Sequence, residues 1–263
     1  MGTIFGYRAH LTLPVTIRHY TLQTKAYDTM DSSSLIDIDK YLLLLTNGSD
    51  SLFWDGCMSL YTTTIIWIPL LLMLIYVLIK NNSIQDFFFL IAMLVVVFLT
   101  TDFLSSGICK PLFARLRPSY DPEIMYIVDT VNGMRSYDYS FTSSHAANSF
   151  GIATFIMLLI KNRTLSFSLI LWALLNAFTR IYLGVHYPSD IIAGTAIGVI
   201  TGFIMYRLYI VIKKRQQRSG HRDWISSHYT KSGYQVSDVY LLLLTMYATF
   251  ALIPVISFMT FDY

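Results

Sequence analysis

The sequence predicts an all-α protein, a polytopic membrane helix bundle, and two observations lead to that prediction. The first is composition: of 263 residues, 54% are hydrophobic and only 13% are charged, whereas soluble domains carry about 25% charged residues. The second is that the apolar residues come in blocks of the length that a bilayer requires, about 17–25 residues. So many apolar blocks in a soluble protein would leave too little polar surface to cover them.

Six segments are predicted to span the membrane, with the third the shortest. They cover residues 62–80, 86–107, 146–161, 165–184, 189–212 and 238–259. In the fifth segment Gly194, Gly198 and Gly202 recur every four residues, and the third segment begins with the small residues Ala146 and Ala147. Because small residues let helices approach closely in lipid, we expect these two segments to pack tightly inside the bundle.

The N-terminal region precedes this bundle and divides into two parts. Residues 1–33 are predicted to be a tail, and two alternatives remain for it: a start at Met30, or a native disordered extension. Residues 34–263 form the membrane domain. Within it, residues 34–46 place Leu35, Ile38 and Leu42 on one helical face, which predicts an amphipathic helix lying on the membrane.

Basic residues predict the orientation of the bundle. They collect in the loops after the first, third and fifth segments: Lys80, Lys161, Arg163, Lys213, Lys214, Arg215 and Arg218. Since cytoplasmic loops carry an excess of Lys and Arg, these loops should face the cytoplasm. We therefore expect the opposite loops to face the periplasm of a bacterial inner membrane.

Three short polar clusters lie in or beside those opposite loops. They are Lys110–Pro118, Thr142–His145, and Thr179-Arg180 followed by His186 and Asp190. Two guanidinium groups, an ammonium group and nearby hydroxyls suit a phosphoryl group, because Arg binds phosphate oxygens bidentately. The sequence therefore predicts an anion site at one membrane face.

The histidines add chemistry to that anion site. Asp190 falls one helical turn after His186, and a carboxylate that holds one imidazole nitrogen orients the other for attack. His145 is then available to protonate a departing oxygen. This arrangement describes phosphoester hydrolysis through a phosphohistidine intermediate. No metal or cofactor is predicted, because the cations can neutralise the developing charge.

The order and internal spacing of the three clusters resemble the type 2 phosphatidic acid phosphatase superfamily, to which vanadium haloperoxidases are related. The resemblance implies that His186 is the nucleophile, Asp190 its orienting partner and His145 the general acid. It implies phosphate binding by Lys110, Arg117, Arg180, Ser143 and the backbone amide of Ser144. The family's usual Pro-Ser-Gly-His reads Thr142-Ser143-Ser144-His145 here, and its Ser-Arg reads Thr179-Arg180.

The expected partners are the bilayer and a lipid phosphate, and the net charge of +3 does not indicate nucleic acid. Undecaprenyl diphosphate, lipid A phosphate, phosphatidylglycerol phosphate and phosphatidic acid all stay open as substrates. Two other functions also stay open: a transporter or lipid-binding protein with an anion site, and acyl transfer by Ser143.

Four further points concern single residues or the whole assembly. Arg115 is predicted to be an interfacial cation, and the loop 119–139 to cap the site. Cys57 and Cys109 are either buried thiols or one disulfide. The oligomeric state stays open.

Overall fold

The computed structural model describes residues 34–133, 135–216 and 228–260, and the tail with Met30 lies outside them. Nine α-helices occur in these ranges: α1 Leu35–Thr46, α2 Leu52–Thr62, α3 Ile68–Asn81, α4 Ile84–Asp102, α5 Lys110–Phe113, α6 Ser144–Ile160, α7 Arg163–Tyr182, α8 Pro188–Gln216 and α9 Val236–Thr260. A π-helical segment, Phe103–Cys109, joins α4 to α5. The described ranges contain no β-strand, so the predicted all-α fold is confirmed.

Within the described ranges, five helical segments are long and apolar enough to cross a membrane. They are Thr64–Asn81, Ile84–Tyr120, Arg163–Tyr182, Pro188–Lys214 and Val236–Thr260. The sixth predicted span corresponds to α6, an apolar helix of only 17 residues. The order of the elements thus matches the predicted spans, and the α6 segment, at 17 residues against 18 for Thr64–Asn81, is the shortest of the six, as expected.

Helices α6 and α8 pack closely along the glycine face of α8. A β-carbon at Gly194 would lie 2.5 Å from the carbonyl oxygen of Ser143, and one at Gly202 would lie 2.5 Å from that of Gly151. Because no side chain fits there, the predicted close approach is confirmed. The contact continues to the helix ends, where the Ser143 amide donates to the Asp190 carbonyl oxygen at 3.1 Å. Packing within lipid therefore sets two motifs side by side.

Polar contacts define two ends of the bundle. At the basic end, the Lys80 Nζ lies 2.7 Å from Asp238 Oδ1, and the Lys213 Nζ lies 3.5 Å from Asp86 Oδ2. The opposite end, here called the site end, holds the three motif clusters. The described residues of the basic loops thus share one end, as the sequence predicts.

Helix α1 presents an apolar face outward, as an interfacial helix should. Leu35 is 86% exposed and Leu45 is 56% exposed. Its opposite face is buried against the protein, where Lys40 pairs with Asp121 at 3.0 Å and with Glu123 at 2.6 Å. Burial lowers the pKa of Lys40, but hydrogen bonds to Glu123 and Asp121 outweigh it and raise the pKa above its ordinary value. These ion pairs tether α1 to the loop 119–139.

The two cysteines form no disulfide. Cys57 is a buried free thiol in an apolar cluster with Tyr61 and Ile253, and Cys109 is a partly exposed free thiol. Of the two alternatives from the sequence, the structure therefore has free thiols.

Candidate active site

His186 lies in the turn between α7 and α8, where it is 2% exposed. Pro188 begins α8, which suits the fixed backbone angle of proline at a helix start. Asp190 follows in the first turn, and its Oδ2 lies 3.3 Å from His186 Nδ1 and accepts the Tyr187 amide at 3.0 Å. A carboxylate at Nδ1 assigns the ring proton to that nitrogen and leaves the lone pair on Nε2. The predicted His–Asp pair is thus present.

Arg117 sits over the open nitrogen of that histidine. Its guanidinium NH1 lies 3.5 Å from His186 Nε2 and donates to the Val185 carbonyl at 3.0 Å. Its NH2 donates to Asp138 Oδ1 at 2.8 Å, and the other oxygen of Asp138 accepts from the Lys110 ammonium at 2.5 Å. The Asp138 carboxylate therefore forms ion pairs with both Lys110 and Arg117 of the first motif.

That carboxylate belongs to the loop 119–139. Burial opposes ionisation of Asp138, but hydrogen bonds from Lys110 and Ser136 and the charge of Arg117 outweigh it, so the pKa of Asp138 lies well below its usual range. An ionised oxygen pair held by Lys110 and Arg117 shows that these two cations can bind an anion between them. The loop thus contributes directly to the anion site.

The third cation and the second histidine join the same cleft. Arg180 is 8% exposed, its NH1 donates to Thr62 Oγ1 at 2.7 Å, and its buried Nε has no hydrogen-bond partner among the described residues. His145 is exposed and interacts electrostatically with Arg180, His186, Arg117 and Lys110. All three predicted cations and both histidines therefore converge at the site end.

Burial and neighbouring charge set the protonation state of His186. Burial lowers the pKa of its imidazole most, the Asp190 carboxylate partly restores it, and the charges of Arg117 and Arg180 lower it again, giving a pKa of about 4. The ring is therefore neutral at neutral pH, which is the form that attacks phosphorus.

The two predicted serines lie at the start of α6. Ser143 is fully buried, and its Oγ accepts from the Ala146 amide at 3.4 Å as the N-cap. Ser144 Oγ lies 2.6 Å from Ser106 Oγ. Because the Ser143 Oγ caps a helix and makes no hydrogen bond to a histidine among the described residues, the geometry does not favour acyl transfer by this residue. The start of a helix is a favourable place for a bound anion, as the predicted role of the Ser144 amide requires.

Two residues at the site were missed or misjudged from the sequence. Ser140 is fully buried, donates through Oγ to Asp190 Oδ2, and lies 3.4 Å from His186 Nδ1. Arg115 was predicted to be an interfacial cation, and that prediction is wrong. Its guanidinium contacts Asp190 at 3.0 Å and Asp39 at 2.6 Å. No motif spacing signals either residue, because their partners lie 46 to 76 positions away in sequence.

Comparison with known proteins agrees with this geometry. The model of the PAP2 superfamily matches residues 87–214. A lipid A 4'-phosphatase of Bacteroides thetaiotaomicron is 42% identical over 174 residues, which cover 65% of this chain and 77% of that protein. A lipid A 4'-phosphatase of Porphyromonas gingivalis is 30% identical over 181 residues, covering 69% and 77%.

More distant similarities point the same way. An undecaprenyl-diphosphatase of Bacillus subtilis is 32% identical over 84 residues, covering 31% of this chain and 42% of that protein. The crystal structure of a transmembrane PAP2-type phosphatidylglycerolphosphate phosphatase from Bacillus subtilis superposes with a TM-score of 0.52 at 17% identity, covering 78% of this chain and 98% of that one. That structure supports the fold.

The hydrolase prediction is thereby confirmed, and the transporter alternative loses its support, because the family model and the relatives are those of phosphatases. With a matching family model and a relative 42% identical over most of its length, this chain belongs to the PAP2 superfamily and is an integral membrane lipid phosphatase.

Proposed function

We propose that this protein removes a phosphate group from a membrane lipid at the periplasmic face of a bacterial inner membrane, through a phosphohistidine on His186. One observation carries the proposal. His186 Nδ1 is held by Asp190, while its Nε2 lies 3.5 Å from the Arg117 guanidinium. A phosphate gripped by Arg117 therefore presents its phosphorus to the nitrogen that carries the lone pair.

In the first step, His186 Nε2 forms a bond to phosphorus as the bond from phosphorus to the lipid oxygen breaks. His145 donates a proton to the departing oxygen. Asp190 accepts the Nδ1–H hydrogen bond and stabilises the positive charge that forms on the ring. In the second step, His145 takes a proton from water, the water oxygen bonds to phosphorus, and the phosphorus–nitrogen bond breaks.

The phosphate oxygens are bound by Lys110, Arg117 and Arg180, with Ser143 and the backbone amide of Ser144 as further ligands. For phosphate to bind, it displaces the Asp138 carboxylate from Lys110 and Arg117. Arg180 keeps a buried Nε–H that has no hydrogen-bond partner in the described part of the chain, and this donor is available to the substrate. Three cations neutralise the developing charge, so the proposed steps use no metal.

Among the four candidate substrates we place lipid A phosphate first. Two relatives that align with 65% and 69% of this chain are lipid A 4'-phosphatases. Undecaprenyl diphosphate, phosphatidylglycerol phosphate and phosphatidic acid follow. All four are lipids whose tails can stay in the bilayer while the phosphate reaches the site end.

A phosphate-release panel tests the substrate. Purified protein in detergent is given each of the four lipids with and without EDTA, and inorganic phosphate is measured. We expect the fastest release from lipid A. Faster release from another of the four lipids would overturn this ranking, and hydrolysis abolished by EDTA would contradict the metal-free mechanism.

Trapping the intermediate tests the mechanism. Protein mixed with lipid A carrying a radioactive phosphate is quenched in alkali, because the phosphorus–nitrogen bond is labile in acid. We expect label on His186, no label in His186→Ala, and a loss of turnover of at least about 1,000-fold in that variant. Labelled protein in His186→Ala would contradict the assignment.

The membrane side is tested with two exposed positions at opposite ends, Tyr137 and Lys161. In intact spheroplasts, and in a Cys57→Ser, Cys109→Ser background that removes both native thiols, a membrane-impermeant maleimide should label Tyr137→Cys but not Lys161→Cys. The reverse pattern would place the site on the cytoplasmic face.

A further inference from the structure

Arg115 bridges two carboxylates beside the proposed nucleophile. Its NH1 donates to Asp190 Oδ1 at 3.0 Å and to Ser189 Oγ at 2.7 Å, and its NH2 donates to Asp39 Oδ2 at 2.6 Å. The guanidinium carbon lies 3.7 Å from the centre of the Tyr187 ring. A guanidinium that stacks on an aromatic ring and donates hydrogen bonds from both NH1 and NH2 is held in a single orientation.

The two oxygens of Asp190 have different partners. Oδ2 receives three donors: His186, the Tyr187 amide and Ser140. Oδ1 has Arg115 as its only hydrogen-bond partner among the residues that the structure describes. Asp190 is fully buried, and a buried carboxylate needs a cation or several donors to stay ionised. Arg115 is therefore the group that supplies the compensating charge.

Asp39 fixes Arg115 from the far side. This residue is on α1, outside all three motif clusters. Its Oδ1 accepts the Ser189 amide at 2.8 Å, in the first turn of α8, and its Oδ2 accepts from Ser189 Oγ at 2.5 Å. Asp39 thus holds both the guanidinium and the helix start that carries Asp190.

We propose that Arg115 and Asp39 are positioning residues, which hold Asp190 ionised and aligned so that it orients the His186 imidazole; this inference rests on the proposed function. Neither residue touches the phosphate site directly. Helix α1 is then part of the active site, because it contributes one carboxylate to a chain of contacts. That chain runs from Asp39 through Arg115 and Asp190 to His186.

The alternative is that Arg115 only fastens α1 to the bundle. Lys40 provides a matched control, because it makes the neighbouring ion pairs of α1 with Asp121 and Glu123 but has no contact with Asp190. If fastening were the whole role, Lys40→Gln and Arg115→Gln would have the same effect on turnover.

The test measures kcat, KM and the pH profile on lipid A, with phosphatidic acid as a second substrate. We expect Arg115→Gln to lower kcat about 10- to 100-fold with KM changed less than about threefold, because alignment matters in the chemical step. The acidic limb of the pH profile of Arg115→Gln should move to higher pH, since Asp190 has lost the cation that favours the ionised carboxylate. Arg115→Lys keeps a cation and should keep the limb in place.

A double-mutant cycle asks whether Asp39 acts through Arg115. Asp39→Asn should lower kcat in the unmodified protein, yet cost less than about twofold when Arg115 is already Gln. Lys40→Gln should leave the acidic limb unmoved. Fully additive losses, or a kcat of Arg115→Gln within about twofold of the unmodified protein, would overturn the inference.

Two further readouts keep the outcomes distinct. Size-exclusion elution checks that each variant is folded, and if Arg115→Gln is not, Arg115→Lys and Asp39→Asn decide the matter. If the unmodified protein yields no phosphohistidine, the proposed function fails. If it does and Arg115→Gln forms it at the same rate, only the inference about Arg115 and Asp39 fails.

Discussion

The two ends of the bundle both carry cationic side chains, but these side chains differ in their exposure to water. At the basic end, the Lys80 side chain is 43% exposed although it pairs with Asp238. At the site end, Arg117 is 5% exposed and Arg180 is 8% exposed. Lys80 extends toward water from the end of α3, as cations at a membrane interface commonly do.

Burial explains the difference between these ends. Removing a cation from water costs several kcal/mol unless ionic or hydrogen-bond partners offset the cost. The site end supplies such partners from separate elements: Arg117 contacts Asp138 and Val185, and Arg180 contacts Thr62. A cation buried at this cost marks a functional region, whereas an exposed one marks an interface.

The largest expected effect comes from substituting a buried cation at the site end, and an exposed cation at the basic end is the control. Arg117→Lys should lower kcat/KM about 100-fold, because an ammonium cannot replace the planar fork that grips two phosphate oxygens. Lys80→Met, which removes a cation at the basic end, should leave kcat/KM within about twofold. Both are measured by phosphate release from lipid A. Equal losses in the two variants would mean that burial does not distinguish functional cations here.

A smaller effect concerns protonation at the site end. We expect the His186 imidazole to titrate near pH 4 in the free protein, because burial and the two arginines disfavour its cation. An ordinary histidine titrates near pH 6.5. Nitrogen-15 NMR of histidine-labelled protein follows the ring, and His186→Gln assigns the signal.

The same titration is repeated on a variant for which the charge of the removed group predicts the direction of the change in the His186 pKa. Asp190→Asn should lower the pKa of His186 further, because the carboxylate favours the charged ring. A pKa near 6.5 in the unmodified protein, or a rise in the variant, would contradict this account of the site.

The smallest expected effect sharpens the role of Asp138. Asp138→Asn should lower the KM for lipid A about two- to fivefold, since phosphate no longer competes with a charged carboxylate for Lys110 and Arg117. The exposed residue Glu123, which pairs with Lys40 away from these cations, provides the matched variant Glu123→Gln. A raised KM in Asp138→Asn would show that this carboxylate helps substrate binding instead.

Motif spacing was a good guide where the partners are near one another in sequence. His186 and Asp190 are only four positions apart, and the turn that leads into α8 at Pro188 keeps so short a stretch close. The glycine face of α8 could also be predicted, because a four-residue repeat of glycine has few uses in lipid other than close helix packing. The bundle, its spans and the convergence of the motifs follow from such local signals.

Long-range polar partners could not be predicted in this way. Asp39 meets Arg115 across 76 positions, and Ser140 meets Asp190 across 50. Nothing in the sequence around Asp39 separates it from Asp37, two positions earlier on the same short helix. Only the docking of α1 against the start of α8 decides that Asp39 is buried.

By itself the sequence determined that this is a membrane bundle with one polar end, because apolar length and motif spacing are local properties of a helix. The tertiary structure alone decided which charges complete that end. Arg115 became a partner of Asp190 rather than an interfacial cation because packing placed it between two buried carboxylates, and such packing is a property of the assembled bundle rather than of any segment.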